Sequence, residues 1–262
     1  MGRAQPFGTF SDGQTRTAAY FVPEGSLDYW RDRLDTYGIP VEGSTDRFGE
    51  TVVEFDDPNG TTLALVATDD APDGQPWDGS PVPTEHQLRG FHSATLAVSD
   101  VDPTADVLTD ALGYEFEADE NGRRRYRSAA GGPGSIIDLV ETDHGRGRMG
   151  VGTVHHVAYE AEDTDEREQW REQLSKQGLR VTDVVDRVCF ESIYFREPGG
   201  VLFEIATMGP GFTVDQSREE LGRHLALPEW LVNERKEIES RLPSFESPSV
   251  DPGSKKTDTF LV

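Results

Sequence analysis

Two different periods of apolar residues follow one another in the first part of the chain. The stretch TRTAAYFV at residues 15–22 is typical of a strand, and Leu27, Trp30 and Leu34 then recur at spacings of three and four, as on one face of a helix. Gly38 follows as a helix stop, and two further strand-like stretches are separated by the turn sequence DDPNG. The pattern predicts a β-α-β-β-β module over residues 5–68.

The same module recurs near the end of the chain. When the sequence is shifted so that Trp30 falls on Trp170, two segments superpose without a gap. The matched pairs are Leu34 with Leu174, Gly38 with Gly178, Asp46 with Asp186, Arg47 with Arg187, Phe55 with Phe195, Pro58 with Pro198 and Gly60 with Gly200. We therefore predict another β-α-β-β-β module over residues 151–207.

A more diverged copy lies between these two. Its strand GFHSATLAV, helix DPTADVLTDALGY and closing strand GSIIDLVE predict a module over residues 88–141. The fold class is therefore α+β, with repeated modules that form cupped mixed sheets. The other segments are predicted as a linker at 69–87, a helical tail at 208–245 with apolar residues laid across the body, and a disordered end at 246–262.

Charge narrows the range of partners. The chain has 262 residues and a formal net charge of −24, and only four of its 25 basic residues are lysines. Dense carboxylate with scarce lysine keeps a protein hydrated in concentrated salt, and this composition resembles that of proteins from salt-loving archaea. A nucleic acid would be repelled by such a field, so we expect no nucleic-acid partner.

Three further features limit the expected location of the protein and the kinds of site that it can contain. No apolar run approaches about 18 residues and the N-terminus has no hydrophobic signal core, so we expect a cytoplasmic protein without a membrane partner. Cys189 is the single cysteine, which excludes an internal disulfide and a cysteine-based zinc site. These features leave a cytoplasmic enzyme or binding protein.

One carboxylate stands out against this background. Glu204 interrupts the apolar strand VLFEIA, where an unpaired charge costs several kcal/mol, so it needs an arginine, a proton or a metal as its partner. In the repeat Glu204 falls on Ala64, and the pair His155 and His156 falls on Thr15 and Arg16. The last module thus holds an imidazole and a carboxylate that the first module lacks, which is the beginning of a two-histidine, one-carboxylate site for Fe(II) or Mn(II).

These residues carry a resemblance to a known family. The repeated modules, the helix end LTDALGYEF and the segment VHHVAYE…DRVCFESIYFREPGGVLFEIAT…PGFTVD resemble the vicinal oxygen chelate superfamily of glyoxalases and extradiol dioxygenases. The sequence is most similar to the hydroquinone-type ring-cleaving dioxygenases of that superfamily. The resemblance covers roughly residues 5–245 and implies the glyoxalase/bleomycin-resistance/dioxygenase fold.

The resemblance also implies roles for five residues. His156 and Glu204 would bind the metal, whereas His155, Arg187 and Tyr194 would act around the substrate. Ring-cleaving relatives have four modules and take a third ligand, a histidine, from the first. Residue 5 onward already matches the second module, so we expect the first to be absent and the source of the third ligand to be open, with His92 as the first replacement candidate.

The repeat leaves alternatives open at several of these positions. Arg187 falls on Arg47, which favours a structural salt bridge as much as a substrate contact. Tyr194 falls on Glu54, and an amphipathic strand tyrosine with a satisfied hydroxyl would explain it equally well. Asp138 aligns with Glu204 in the middle module and, without a histidine beside it, is expected to be structural.

We interpret the chain as a metal-dependent ring-cleaving dioxygenase of the extradiol type, acting on a hydroquinone or catechol with O₂. One alternative is a glyoxalase-like isomerase or lyase that uses the same metal, and another is a metal-free small-molecule binding protein. The first two modules are expected to pair into one cupped sheet. The third then needs a partner, and we expect a homodimer through it.

The composition generates a prediction about salt. Self-repulsion among 49 acidic and 25 basic groups should destabilise the compact state at low ionic strength. Screening should relieve it, because the Debye length falls from about 30 Å at 0.01 M to about 3 Å at 1 M. The melting temperature should therefore rise with added KCl. A melting temperature that stays flat or falls up to molar KCl would contradict the salt-adapted interpretation.

Overall fold

The computed structural model describes residues 6–69, 71–74, 76–145 and 147–243. The predicted disordered end at 246–262 and the first residues of the chain lie outside this range. Three β-α-β-β-β modules follow one another, which confirms the α+β fold class. No helix in the described part of the chain is long and apolar enough to cross a membrane.

Each module contributes four strands and one helix. The first contains β1 (Gln14–Val22), α1 (Leu27–Thr36), β2 (Ser44–Arg47), β3 (Glu50–Asp56) and β4 (Thr62–Ala67). The second contains β5 (Phe91–Val98), α2 (Val101–Asp106), β6 (Tyr114–Glu120), β7 (Arg123–Ser128) and β8 (Ile136–Glu141). The third contains β9 (Val157–Ala161), α3 (Thr164–Lys176), β10 (Val185–Asp186), β11 (Phe190–Arg196) and β12 (Leu202–Pro210).

Short helical turns complete the described chain. A π-helical turn (Val107–Ala111) continues α2, and 3₁₀ turns lie at Thr84–His86, Phe212–Val214 and Glu229–Glu234. The tail ends in α4 (Arg235–Arg241). The predicted packing of the tail on the body is wrong for its largest residue, because Trp230 is 67% exposed. The described tail consists of 3₁₀ turns and a two-turn helix, and such short elements present little continuous surface for packing.

The modules are not arranged equivalently. Antiparallel pairing of β1 with β5 joins the first two modules into an eight-stranded sheet of order β2-β3-β4-β1-β5-β8-β7-β6, whereas the third forms a separate four-stranded sheet of order β10-β11-β12-β9. In each module the first strand runs parallel to the last, so the helix serves as a crossover connection. The first two modules thus form a closed cup, and the third forms half of one.

The main core fixes the third module against the second. Leu108, Tyr114 and Leu139 of the second module share one buried cluster with Leu174 and Phe203 of the third. Because this cluster lies on the helix-covered face of the third sheet, the opposite, concave face of that sheet remains open.

A buried polar contact reinforces the same junction. The Thr104 hydroxyl on α2 donates to Glu197 at 2.6 Å, and the Glu197 carboxylate also accepts from the backbone N–H groups of Gly199 and Val201. Gly200 completes this turn at φ 103°, a conformation that favours glycine. The orientation of the third module is therefore set by its convex side and by its β11–β12 turn.

A network of ion pairs fills the cup of the first two modules. The Arg125 guanidinium binds Asp138 at 2.9 and 3.1 Å and Glu50 at 2.7 Å, and His92 contacts Glu50 at 2.9 Å and Ser93 at 2.9 Å. Burial alone would raise the pKa of Glu50, but hydrogen bonds from His92 and Arg125 outweigh it and lower the pKa to about 2. Asp138 is therefore structural, as expected, and contributions from both modules hold the cup closed.

This network predicts a specific acid sensitivity. The folded pKa of Glu50 lies below its ordinary 4.5, so its contribution to stability is complete above pH 4.5 and is lost as pH falls towards 2. Glu50→Gln should lower the free energy of unfolding at pH 7 by about 2 kcal/mol and flatten its loss below pH 4.5. Urea titrations at pH 7 and pH 3 measure this, with the exposed Glu42→Gln as control. Parallel pH profiles for wild type and Glu50→Gln would refute the assignment.

Candidate functional site

Strand alternation explains how Glu204 comes to lie in an apolar strand. Its neighbours Phe203 and Ile205 belong to the main core on the convex side, so Glu204 faces the concave side of the third module. There it lies between Tyr194 of β11 and Ala158 of β9, its register partners. Only 3% of Glu204 is exposed, so its carboxylate depends on neighbouring side chains rather than on water.

Two side chains satisfy this carboxylate. The Tyr194 hydroxyl donates to Oε1 of Glu204 at 2.6 Å, and Nε2 of His156 lies 2.6 Å from Oε2. Short hydrogen bonds of this kind, made to a charged acceptor, offset the free energy lost when a carboxylate leaves water. Each oxygen of Glu204 therefore has a partner in the described structure, one phenolic and one imidazole.

The contacts continue outward on both sides. Nη2 of Arg187 donates to the Tyr194 hydroxyl at 3.2 Å, and this hydrogen bond raises the pKa of the exposed Arg187 guanidinium, which stays cationic. On the other side Nδ1 of His155 lies 2.8 Å from Nδ1 of His156. A neutral His156 that donates from Nε2 to Glu204 has a bare Nδ1, so His155 is then the donor in this pair. All five residues named from the sequence form one connected chain.

The backbone explains why the two histidines meet. Alternation along a regular strand would place His155 and His156 on opposite faces, but both precede β9, which begins at Val157. Thr182 fixes the other side of the site: its N–H donates to the Tyr194 carbonyl at 2.9 Å, and its hydroxyl accepts from the Tyr194 N–H at 3.0 Å. Thr182 lies outside the strands and motifs that mark the other site residues, so no sequence pattern indicates its role.

The first module provides an internal comparison. At the positions of Arg187 and Tyr194 it has Arg47 and Glu54, which form a two-contact ion pair at 2.8 and 2.6 Å. Ala64 takes the place of Glu204 and lies opposite Glu54. The salt bridge considered for Arg187 therefore exists in the first module, whereas Arg187 itself contacts a tyrosine. In the third module a tyrosine takes the place of Glu54 and a glutamate takes the place of Ala64. The negative charge therefore lies one strand further into the sheet than in the first module.

The strand register corrects the repeat alignment by one residue. Ala19 lies opposite Ala64, as Ala158 lies opposite Glu204, so Thr17 rather than Arg16 corresponds to His156. The connection between the first strand and the helix differs in length by one residue between the two modules. This offset leaves the conclusion unchanged, since Thr17 is not a metal ligand of the usual kind either.

The remaining histidines lie elsewhere. His92, the replacement candidate for a third ligand, is 1% exposed inside the other cup and uses both ring nitrogens there. His86 stacks on Tyr29 and contacts Ser26, His144 lies in the loop after β8 with its N–H donating to Asp12, and His224 belongs to the tail. Among the described residues no three His, Cys, Asp or Glu side chains are grouped so as to hold a metal ion. His92 is therefore excluded as the third ligand.

The donors nevertheless fit a divalent cation as two of its ligands. An imidazole nitrogen and a carboxylate oxygen 2.6 Å apart are the donor types that Fe(II) and Mn(II) accept, and a cation between them would replace their hydrogen bond. The side chain of His156 is 31% exposed, so the position is reachable from the concave side. A cavity of about 490 Å³ is lined by Pro6, Met149, Gly150, Thr153 and His155, so His155 is the site residue that borders it.

Comparisons with known proteins identify the superfamily of this chain. Residues 90–205 match the model of the Glyoxalase/Bleomycin resistance protein/Dioxygenase superfamily. The chain is 41% identical over 244 residues to the "Putative ring-cleaving dioxygenase MhqO" of Bacillus subtilis (strain 168), covering 93% of this chain and 77% of the relative. It is 33% identical over 233 residues to the "Chlorohydroquinone/hydroquinone 1,2-dioxygenase" of Sphingobium indicum UT26S, covering 86% and 72%.

One solved structure is similar over most of the chain. A crystal structure described as a "putative dioxygenase from Bacillus subtilis subsp. subtilis str. 168" superposes with a TM-score of 0.86 at 41% identity. It covers 91% of this chain and 76% of that one. The fold of this chain, an eight-stranded sheet beside a four-stranded one, is therefore similar to an experimentally determined fold over 91% of the chain.

The site predicts a selective loss of metal binding. Glu204→Ala or His156→Ala removes one of two donors and should weaken Fe(II) or Mn(II) binding by at least about 100-fold, while the melting temperature changes little. Isothermal titration under anaerobic conditions measures this. Glu54→Ala is the matched control, since Glu54 takes the corresponding outer position in the first module, and it should bind metal as wild type does. Unchanged metal content in both site variants would rule out the assignment.

Proposed function

This chain belongs to the Glyoxalase/Bleomycin resistance protein/Dioxygenase superfamily, and we propose that it is a ring-cleaving dioxygenase whose site is the half-cup of the third module. The observation that carries the proposal is the buried Glu204 held between His156 and Tyr194. Named relatives at 33% and 41% identity support the reaction class. We further propose the extradiol type, with a hydroquinone or catechol as the substrate.

His156 and Glu204 would hold an Fe(II) or Mn(II) ion. When bound, the ion supplies a common centre for the substrate oxygen and O₂, through which electrons can pass from the ring to oxygen. Cleavage of one ring carbon–carbon bond places both oxygen atoms in the product, so no external reductant is required. The buried position of Glu204 supports this role, because an ionised carboxylate there neutralises part of the cation's charge.

Tyr194 and Arg187 would orient the substrate oxygen. With Glu204 turned towards a cation, the Tyr194 hydroxyl is free to donate to a phenolic or phenolate oxygen beside it. Arg187, which contacts the same hydroxyl at 3.2 Å, keeps a positive charge at this edge of the site and favours the phenolate form. Thr182 would support this role by holding the backbone of Tyr194 in place through two hydrogen bonds.

His155 would accept the proton that the substrate loses. Its Nδ1 is occupied by His156 at 2.8 Å, and the ring lines the 490 Å³ cavity where an aromatic diol would lie. With a cation on Nε2 of His156, the proton of this pair lies on Nδ1 of His156, so His155 would act as a base through Nδ1 once this contact opens. Imidazole is the side chain that enzymes use most often for proton transfer of this kind.

Assembly is part of the proposal. The half-cup offers two metal donors and an open concave side, so we propose the homodimer through the third module as the functional form. The proposed partners are a small aromatic diol and O₂, and the proposed reaction requires neither a nucleic acid nor a membrane. A glyoxalase-like enzyme would bind the metal without consuming O₂, and a metal-free binding protein would do neither. Metal analysis and an oxygen-uptake assay therefore distinguish these two alternatives from a dioxygenase.

The reaction itself gives the most direct test of the function. Fe(II)-loaded protein should consume about one O₂ per hydroquinone, and ¹⁸O₂ should label the ring-opened product at two positions. Tyr194→Phe should lower kcat by about 100-fold through loss of one positioned hydrogen bond, while metal content stays unchanged. Tyr37→Phe, at an exposed helix end, is the control. Absence of oxygen uptake with Fe(II) and with Mn(II) would overturn the proposal.

A further inference from the structure

The turn between β10 and β11 has an unusual backbone conformation. Val188 has a φ of 71°, in the left-handed region that side chains rarely adopt. Only three non-glycine residues of the described chain lie in this region, and the other two, Phe48 and Asn121, occupy the corresponding turns of the first and second modules. A β-branched side chain is a genuine outlier there, so the turn at Val188 is strained.

The residue after Val188 also differs from its counterparts. In the first two modules a glycine follows, Gly49 or Gly122, and it too has positive φ, as in the two-residue hairpin turns that match the twist of paired strands. In the third module Cys189 follows Val188. Strain of this kind persists only where surrounding contacts determine the backbone, and it is concentrated at functional sites. The contacts around Val188 therefore indicate what the turn does.

Two hydrogen bonds hold this turn. The Val188 N–H donates to Oδ1 of Asp186 at 2.7 Å. The carbonyl of Cys189 accepts from the N–H of Gly211 at 2.8 Å, which ties the turn to the residue directly after β12. One contact comes from the residue two positions before Val188 and the other from a distant part of the chain, so the turn is fixed from both sides.

The residue directly before the turn is Arg187, which belongs to the candidate site. Its guanidinium donates to the Tyr194 hydroxyl at 3.2 Å and lies 5.7 Å from the centre of the Tyr194 ring. Its counterpart Arg47 is held at the guanidinium itself, by two charged contacts with Glu54. Arg187 has a single neutral acceptor instead, so the order of this long side chain depends more on the direction that its backbone gives it.

The contact made by Asp186 is particular to the third module. Its counterpart Asp46 accepts from the Thr51 hydroxyl at 3.4 Å. In the first module the N–H of Phe48 donates to Glu120 of the second module at 2.6 Å. The first module thus holds its turn through another module, whereas the third uses a carboxylate beside the turn.

We propose that Asp186 is a positioning residue, which holds the strained turn through the Val188 N–H and so directs Arg187 towards Tyr194. It acts through the backbone, and its own carboxylate takes no part in the proposed chemistry. The direction of Arg187 is independent of the proposed function, whereas the effect of Asp186 on the reaction rests on that function.

Nuclear magnetic resonance tests the positioning directly. Asp186 is exposed, so Asp186→Ala should leave the fold intact but release the turn. The ¹⁵N order parameter of the Arg187 Nε–H group should then fall below about 0.6, the range of flexible groups. Asp186→Asn keeps an oxygen that accepts from the Val188 N–H and should behave as wild type, as should the matched control Asp46→Ala. An unchanged order parameter in Asp186→Ala, or an equal fall in Asp186→Asn, overturns the proposal.

A double-mutant cycle tests the consequence for the reaction. In Fe(II)-loaded protein Asp186→Ala should lower kcat/KM for hydroquinone by about tenfold, with metal affinity unchanged, because Arg187 no longer keeps its place beside the substrate oxygen. In the background Arg187→Ala the same substitution should have no further effect, since Asp186 then has nothing to direct. Additive losses would mean that Asp186 acts by another route and overturn the proposal. Loss of Arg187 order in a protein that consumes no oxygen, wild type included, would count against the proposed function alone.

Discussion

The burial of one carboxylate organises the third module. Glu204 is 3% exposed in a strand whose neighbouring side chains form the main core, so its charge is tolerable only with partners on both oxygens. Tyr194 and His156 are those partners, and Arg187 and His155 are held in turn by them. The geometry of the site thus follows from a single desolvated group and from the strands that deliver its neighbours.

The three modules show how one framework meets different demands. In the first, Arg47 and Glu54 neutralise each other, and Ala64 leaves the inner position apolar. In the second, Asp138 keeps the inner carboxylate and takes arginines as partners. In the third module Tyr194 and His156 hold the inner carboxylate, and Arg187 contacts Tyr194 rather than the carboxylate itself. The three modules thus differ in whether the position of Glu204 carries a carboxylate and in whether an arginine neutralises it. Only in the third module is the arrangement suited to a cation.

Much of this could be read from the sequence, and the reasons for the misses are physical. The repeat predicted three modules because helix stops and Pro-Gly turns recur at constant spacing, and the contrast between Ala64 and Glu204 pointed to the candidate site. The contact between His155 and His156 does not follow from strand alternation, because both residues precede β9, which begins at Val157. Thr182 acts through backbone contacts with Tyr194, for which no sequence pattern exists. His92 was a candidate ligand until its cup proved to be filled by ion pairs.

The central claim is that His156 and Glu204 together hold a divalent metal ion on the concave face of the third module. Crystals grown with Mn(II), with anomalous diffraction recorded on both sides of the manganese absorption edge, locate that ion directly. The account requires an anomalous peak within bonding distance of Nε2 of His156 and a carboxylate oxygen of Glu204, with the hydrogen bond between these two atoms broken. An anomalous peak elsewhere, or an intact His156–Glu204 hydrogen bond in metal-saturated crystals, would contradict it.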